Sequence, residues 1–295
     1  MLGTQTLSLA NHCNLACTYC WYETDAANYP ATQVTARDYE KWLDACREAI
    51  MLDEAYLTGG EPTLHEEFSD ILEVAASRFT YATVLTNGIT VGLRDDLRAA
   101  IVRAGAQVHV SLDHVTLDLG DRVRGGTKPA LRGIRALADD AVPTQVTMVL
   151  TSNNAIDLES VIDLCQELGL ALEVNLVAVP DRHPLSVLTL RPDERERISQ
   201  TLRGAAALLG RPAYYAEVRS ILRHGRLTPL TTCRAASNGV FVEADGSIFI
   251  CGQRREERLG SILRDSPATV LLRQDEALSR APGGPCVSLD CLTVA

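Results

Sequence analysis

No run of about 18 apolar residues, the length a helix needs to cross a bilayer, occurs in this 295-residue sequence. Met1 leads directly into the strand-like Thr4–Ala10, without the basic, apolar and small-residue regions of an export signal. The expectation is a soluble, cytoplasmic protein with no membrane partner. Basic residues are also in short supply, since 28 Lys and Arg against 38 Asp and Glu leave a net charge of −10. That balance disfavours a phosphate backbone, so no nucleic-acid partner is expected, and it favours a cationic small molecule or peptide. Repeats and low-complexity tracts are absent, and the length suits one large α/β unit with a small appendage.

Cysteine, in contrast, is plentiful, with nine in the chain. Without an export signal these read as metal ligands or reactive thiols rather than as a disulfide framework.

Apolar β-type runs alternate with helix-period segments, the pattern of βα units wound into a parallel sheet or barrel. Strands are expected at Gln5–Ala10, Glu54–Thr58, Tyr81–Thr86, Gln107–Leu112, Thr144–Leu150 and Ala171–Val177. Helices are expected at about Thr35–Leu52, His65–Phe79, Val91–Ala104, Lys128–Asp140 and Asp157–Leu168, with a further one near Asp193–Leu209. The fold class is therefore α/β, a partial (β/α)6 TIM-like barrel. Asn238–Ile250 reads as a β-hairpin turning at Asp245-Gly246. The domain division expected is 1–180 for the barrel, 181–230 for a linker and helix, and 231–295 for a small C-terminal region.

Side chains alternate along a strand, so His109, Ser111 and Asp113 share one face, opposite Val108, Val110 and Leu112. Glu173 and Asn175 oppose Leu172, Val174 and Leu176 in the same way, and Gln145, Thr147 and Thr151 repeat the pattern. Either this is a solvated sheet surface or it is a hollow, polar barrel interior that holds a cofactor and substrate; burying such groups without partners is expensive.

After the first strand stands Cys13-Asn-Leu-Ala-Cys17-Thr-Tyr19-Cys20. Three thiolates on so short a loop can hold three irons of a [4Fe–4S] cube, leaving the fourth iron open to a ligand. Structural zinc would want four protein ligands, and no fourth cysteine or histidine lies in the expected downstream register, although His12 is adjacent.

This loop resembles the motif of the radical S-adenosylmethionine superfamily, Cys-x3-Cys-x-aromatic-Cys, with Tyr19 at the aromatic position. Gly59-Gly60-Glu61-Pro62 is similar to the glycine-rich segment with which that family contacts the methionine amino group. Thr86-Asn87-Gly88, Ser111-Leu112-Asp113 and Asn153-Asn154 end the third, fourth and fifth strands, where α/β sites gather. The resemblance covers about residues 5–180. It implies a cluster on Cys13, Cys17 and Cys20, S-adenosylmethionine on its open iron, a 5′-deoxyadenosyl radical, and an external reductant such as flavodoxin or ferredoxin. It further makes Ser111 and Asn153 candidates for the cofactor's ribose or carboxylate.

Near the C-terminus, Cys233-x12-Gly246-x4-Cys251 resembles the auxiliary-cluster regions called SPASM and, in shorter form, Twitch. By that resemblance Cys233, Cys251, Cys286 and Cys291 would hold a probable auxiliary [4Fe–4S] cluster, the hairpin bringing the first two together. Alternatively Cys251 is a free thiol that returns hydrogen to a substrate radical. Cys46 and Cys165 lie on apolar helical stripes and read as small core residues.

The compact layout is similar to aminoglycoside-biosynthesis enzymes of the neomycin epimerase type, and it leaves no evident room for a peptide-recognition module. The expected reaction is epimerisation of a polar, cationic small molecule, with Asp113, Glu173 and Asn175 as candidate substrate groups. The alternatives are an amino-sugar or cyclitol dehydrogenase, a peptide maturase, or a non-enzymatic sensor that binds iron–sulfur and S-adenosylmethionine.

Overall fold

The computed structural model describes residues 3–20, 33–47, 52–117, 123–225, 239–252 and 254–280. Six parallel strands follow in sequence order: β1 (Thr4–Ala10), β2 (Glu54–Gly59), β3 (Tyr81–Thr86), β4 (Gln107–Ser111), β5 (Thr144–Leu150) and β6 (Ala171–Leu176). Between them run α1 (Ala36–Arg47), α2 (Phe68–Arg78), α3 (Asp95–Ala104), α4 (Thr127–Asp139) and α5 (Leu158–Leu168). The expected partial (β/α)6 barrel is therefore present, with each described strand within a residue of its expected bounds.

Two helix starts differ from expectation. α2 begins at Phe68 rather than His65, because Pro62–Leu64 forms a 3-10 turn and His65 Nδ1 accepts the amide of Glu67 at 3.0 Å. α3 begins at Asp95 rather than Val91, because Thr90 O takes the amides of Leu93 and Arg94 in a turn. Asp95 and Asp96 then place carboxylates at the helix N-terminus, where the peptide dipoles favour them.

The alternation in the strands separates two faces. Val108 and Val110 of β4, Val146 and Met148 of β5, and Leu172 and Val174 of β6 are buried against the helices. Gln107, His109, Ser111, Gln145, Thr147, Glu173 and Asn175 on the other face are only partly buried, and they form the polar face of the sheet, the chamber side of the partial barrel. Cys46 and Cys165 are fully buried in the core, as expected of small apolar side chains.

Beyond β6, α6 (Pro192–Gly204) stops where Ala205 leaves the helix; a single turn, Ala206–Leu209, follows, then α7 (Pro212–His224). The sequence reading did not anticipate α7, and it has a definite task. Val174 N donates to Tyr215 Oη at 2.8 Å and Val174 O accepts from Tyr214 Oη at 3.2 Å, so the two phenols satisfy the peptide groups of Val174 at the open edge of β6.

The expected hairpin is present as β7 (Gly239–Val242) and β8 (Ser247–Cys251), turning at Asp245-Gly246 with Gly246 at φ +79°. β7 pairs in parallel with β1, and β9 (Arg254–Ser261) pairs antiparallel with β8. The result is one nine-stranded sheet in the order β6-β5-β4-β3-β2-β1-β7-β8-β9, backed at its far end by α8 (Pro267–Arg280). Cys233, Cys286 and Cys291 lie outside the described residues. No helix among the described residues is long and apolar enough to cross a membrane.

Candidate active site

The cysteine loop leaves the C-terminal end of β1 and is braced from below by Gly59 and Gly60. A Cβ on Gly60 would stand 2.1 Å from His12 O, and one on Gly59, at φ +132°, would stand 2.5 Å from Ala10 O. Bare backbone is thus required at both positions. In its place Gly60 N donates to Ala10 O at 2.6 Å and Glu61 N to His12 O at 2.9 Å.

Glu61 is buried and caps the turn that follows. Its carboxylate accepts from Thr63 N (3.2 Å), Thr63 Oγ1 (2.6 Å), Thr86 Oγ1 (2.7 Å) and Asn87 N (2.8 Å), tying the end of β2 to the end of β3. Burial nevertheless raises its pKa above the usual carboxylate value. Pro62 is buried at the first position of the same turn. Asn87 reaches back to the loop, donating to Asn14 Oδ1 at 2.7 Å and lying 3.7 Å from Cys13 Sγ.

Cys13 and Cys17 are half-buried and Cys20 is exposed. Burial raises the Cys13 thiol and pushes Cys17 up to about 11, although Arg124 opposes the shift at Cys17. Leu15 N donates to Cys13 Sγ at 3.4 Å. The donor set fits a cubane better than a single ion. Three thiols on one short loop match the three protein-held irons of a cube, which takes one thiolate at each of three separate corners. Binding would release the thiol protons, because only the thiolate is a ligand.

A second brace comes from β4 and the segment at 123–124. Tyr19 Oη donates to Asp113 Oδ2, and Arg124 donates from Nε to the same oxygen (3.0 Å) and from Nη2 to Tyr19 Oη (2.6 Å). Asp113 Oδ1 accepts Val149 N at 2.9 Å, and Thr18 N donates to Val123 O at 2.9 Å. Burial disfavours the charge of Arg124, but Asp113 and Tyr19 more than restore it, so it remains a cation. Burial raises the phenol of Tyr19 well above its ordinary pKa. The sequence reading missed Arg124, whose partnership with residues 11 and 105 positions away leaves no periodic trace.

Ser111 ends β4 facing the chamber, and Asn153 is exposed on the turn after β5. Its neighbour Asn154 is buried and builds that turn, accepting Thr151 N at 2.6 Å and donating to Val149 O at 2.7 Å. Glu173 accepts from Arg211 Nη1 at 2.7 Å and from Gln145 Nε2 at 2.8 Å, and Asn175 Oδ1, 2.8 Å from Tyr214 Oη, shares that single hydroxyl hydrogen with Val174 O. Both chamber carboxylates that the sequence reading assigned to a cationic substrate, Asp113 and Glu173, thus carry an arginine of the chain itself. Cys251 is half-buried at the end of β8, opposite Arg254.

Comparison with known proteins agrees with this geometry. The "Sporulation killing factor maturation protein SkfB" of Bacillus subtilis is 27% identical over 274 residues, covering 90% of this chain and 63% of its own. The "PqqA peptide cyclase" of Ruegeria pomeroyi is 29% identical over 263 residues, covering 82% of this chain and 66% of its own. Among solved structures, Streptococcus suis SuiB bound to precursor peptide SuiA shares the fold at a TM-score of 0.72 and 13% identity, covering 95% of this chain and 66% of SuiB. The chain spans under two thirds of the length of each. The sequence model of the Radical SAM superfamily, whose members use a [4Fe–4S] cluster and S-adenosylmethionine, matches residues 7–165. With the three-cysteine loop braced at the mouth of the half-barrel, this chain belongs to the Radical SAM superfamily.

Proposed function

We propose that this Radical SAM enzyme modifies a peptide, oxidising a residue of a precursor peptide, rather than epimerising a small cationic sugar. The observation that carries the reading is the extent of likeness to SkfB and to the PqqA peptide cyclase, which runs well past the 7–165 core over 90% and 82% of the chain. The pairing of Asp113 with Arg124 and of Glu173 with Arg211 supports it, because the charge that favoured an aminoglycoside is neutralised internally.

Cys13, Cys17 and Cys20 would hold the cluster, which when bound supplies the electron that cleaves the sulfonium of S-adenosylmethionine. Gly59 and Gly60 set the height of the loop, and Tyr19, Asp113 and Arg124 fix its far end. Glu61 keeps the loop beside the β3 end, and Ser111 and Asn153 would hold the cofactor's ribose or carboxylate. Asn175 contacts the peptide. Cys251, with Cys233, Cys286 and Cys291, ligates an auxiliary cluster rather than donating hydrogen, since loss of hydrogen from a peptide needs an electron acceptor.

The test is anaerobic reconstitution with iron, sulfide, dithionite and S-adenosylmethionine, in the presence of any short peptide encoded beside the gene. The expected result is 5′-deoxyadenosine together with a peptide lighter by two hydrogens. Turnover of an amino sugar with deuterium uptake from deuterated water, and an unchanged peptide, would instead support the epimerase.

A further inference from the structure

Four side chains on the chamber wall form a directed chain of hydrogen bonds, and each link fixes the next. Arg211 begins it. Its backbone stands at φ 42° and ψ 58°, a region that costs any residue with a Cβ and is retained where surrounding structure enforces it. Its guanidinium lies 5.0 Å from the Tyr214 ring centre and donates to Glu173 Oε1.

As the partner of a guanidinium, Glu173 is a carboxylate and can only accept. The amide of Gln145, 2.8 Å from Glu173 Oε2, must therefore turn its nitrogen towards it, which removes the usual ambiguity between amide oxygen and nitrogen. The second hydrogen of that nitrogen faces His109 Nδ1 at 3.5 Å. A ring nitrogen that faces an N–H presents its lone pair. In the neutral ring the single hydrogen then sits on Nε2. Burial keeps the ring neutral, lowering its pKa to about 4. His109 projects from the chamber face of β4, opposite the buried Val108 and Val110, and is itself only partly buried.

We propose that His109 is a substrate-binding residue whose Nε2–H donates to a backbone carbonyl of the peptide, its tautomer fixed by Gln145, Glu173 and Arg211 as positioning residues. The inference rests on the peptide reading above. A neutral single donor suits a carbonyl: a carboxylate would call for a cation, and an ammonium cannot accept.

Two measurements test it. In protein labelled with nitrogen-15 at histidine, the ring resonances of His109 at pH 7.5, without peptide, show the Nε2–H tautomer. Gln145→Leu releases the ring to a mixture of tautomers. An Nδ1–H ring in the unaltered protein overturns the inference, whether or not any peptide is a substrate. The second measurement uses a synthetic peptide spanning the modified residue of the precursor. His109→Phe raises its KM about tenfold, the loss of roughly one hydrogen bond. His109→Gln, which keeps a donor, restores most of the difference. An unchanged peptide KM, or weaker binding of S-adenosylmethionine in His109→Phe, overturns it. Should no peptide be modified, the peptide reading fails, and the carbonyl assignment with it, whereas the tautomer still reports on the relay alone.

Discussion

At the scale of single residues, the site is held by groups whose charge is answered within the chain. Asp113→Asn leaves Arg124, whose side chain is 13% exposed, without its buried counter-ion; removing one partner of a buried pair costs about 3–5 kcal/mol, and the partial exposure of Arg124 puts this one at the low end. Urea denaturation should show that loss, and the iron content after reconstitution should fall because an amide cannot hold Tyr19, Arg124 and Val149 N together as the carboxylate does; a variant with unchanged stability would mean that the carboxylate does not hold the pair. The core thiols make a separate prediction. Burial pushes Cys46 and Cys165 up to about 12 from an ordinary 9.0, so the folded state holds their protons where the unfolded chain releases them. Stability from these groups is fully present below pH 9 and is lost as pH rises towards 12, by about 1 kcal/mol per thiol at pH 10. The denaturation midpoint should therefore fall between pH 8 and 10, and fall less in the Cys46→Ala, Cys165→Ala double variant. An equal slope in both would contradict the burial of these thiols. Cysteine spacing and stripe position already separated Cys13, Cys17 and Cys20 from Cys46 and Cys165 in the sequence. Arg124 and Arg211 were not legible, because an ion pair between distant segments is set by the fold rather than by local pattern.

At the scale of elements, the strands were readable because a parallel sheet under helices imposes both apolar runs and a period of two. Helix starts were less so, since turns such as Thr90–Arg94 continue the apolar pattern while diverting its hydrogen bonds. The glycine-rich turn after β2 illustrates a partial success. Its residues pointed to close backbone approach, and the approach seen is to Ala10 and His12 of the cysteine loop. Gly60→Ala must displace that loop and should lower iron loading severalfold. Gly105→Ala, at φ +61° with nothing within 4 Å of the added Cβ, should cost about 1–2 kcal/mol of strain and leave iron loading intact. Iron and sulfide analysis of the two variants decides the matter, and equal loading would show that Gly60 does not set the loop.

At the scale of the whole molecule, the hairpin foreseen near the C-terminus extends the barrel sheet through β7 on β1, joining its two ends into one structure. That junction depends on pairing across more than two hundred residues, for which alternation within a strand carries no signal. Charge pairing was the least legible feature: composition counted the acidic residues but could not show that Asp113 and Glu173 were already paired with arginines. What remains central is the loop at the mouth of the half-barrel, on which every later step depends. Its most direct test is release of 5′-deoxyadenosine and methionine from S-adenosylmethionine by the anaerobically reconstituted, dithionite-reduced protein. The account predicts equal amounts of both products, and none from variants with Cys13, Cys17 or Cys20 replaced by Ala. Undiminished release from any one of those variants, or none from the unaltered protein with its cluster in place, would contradict it.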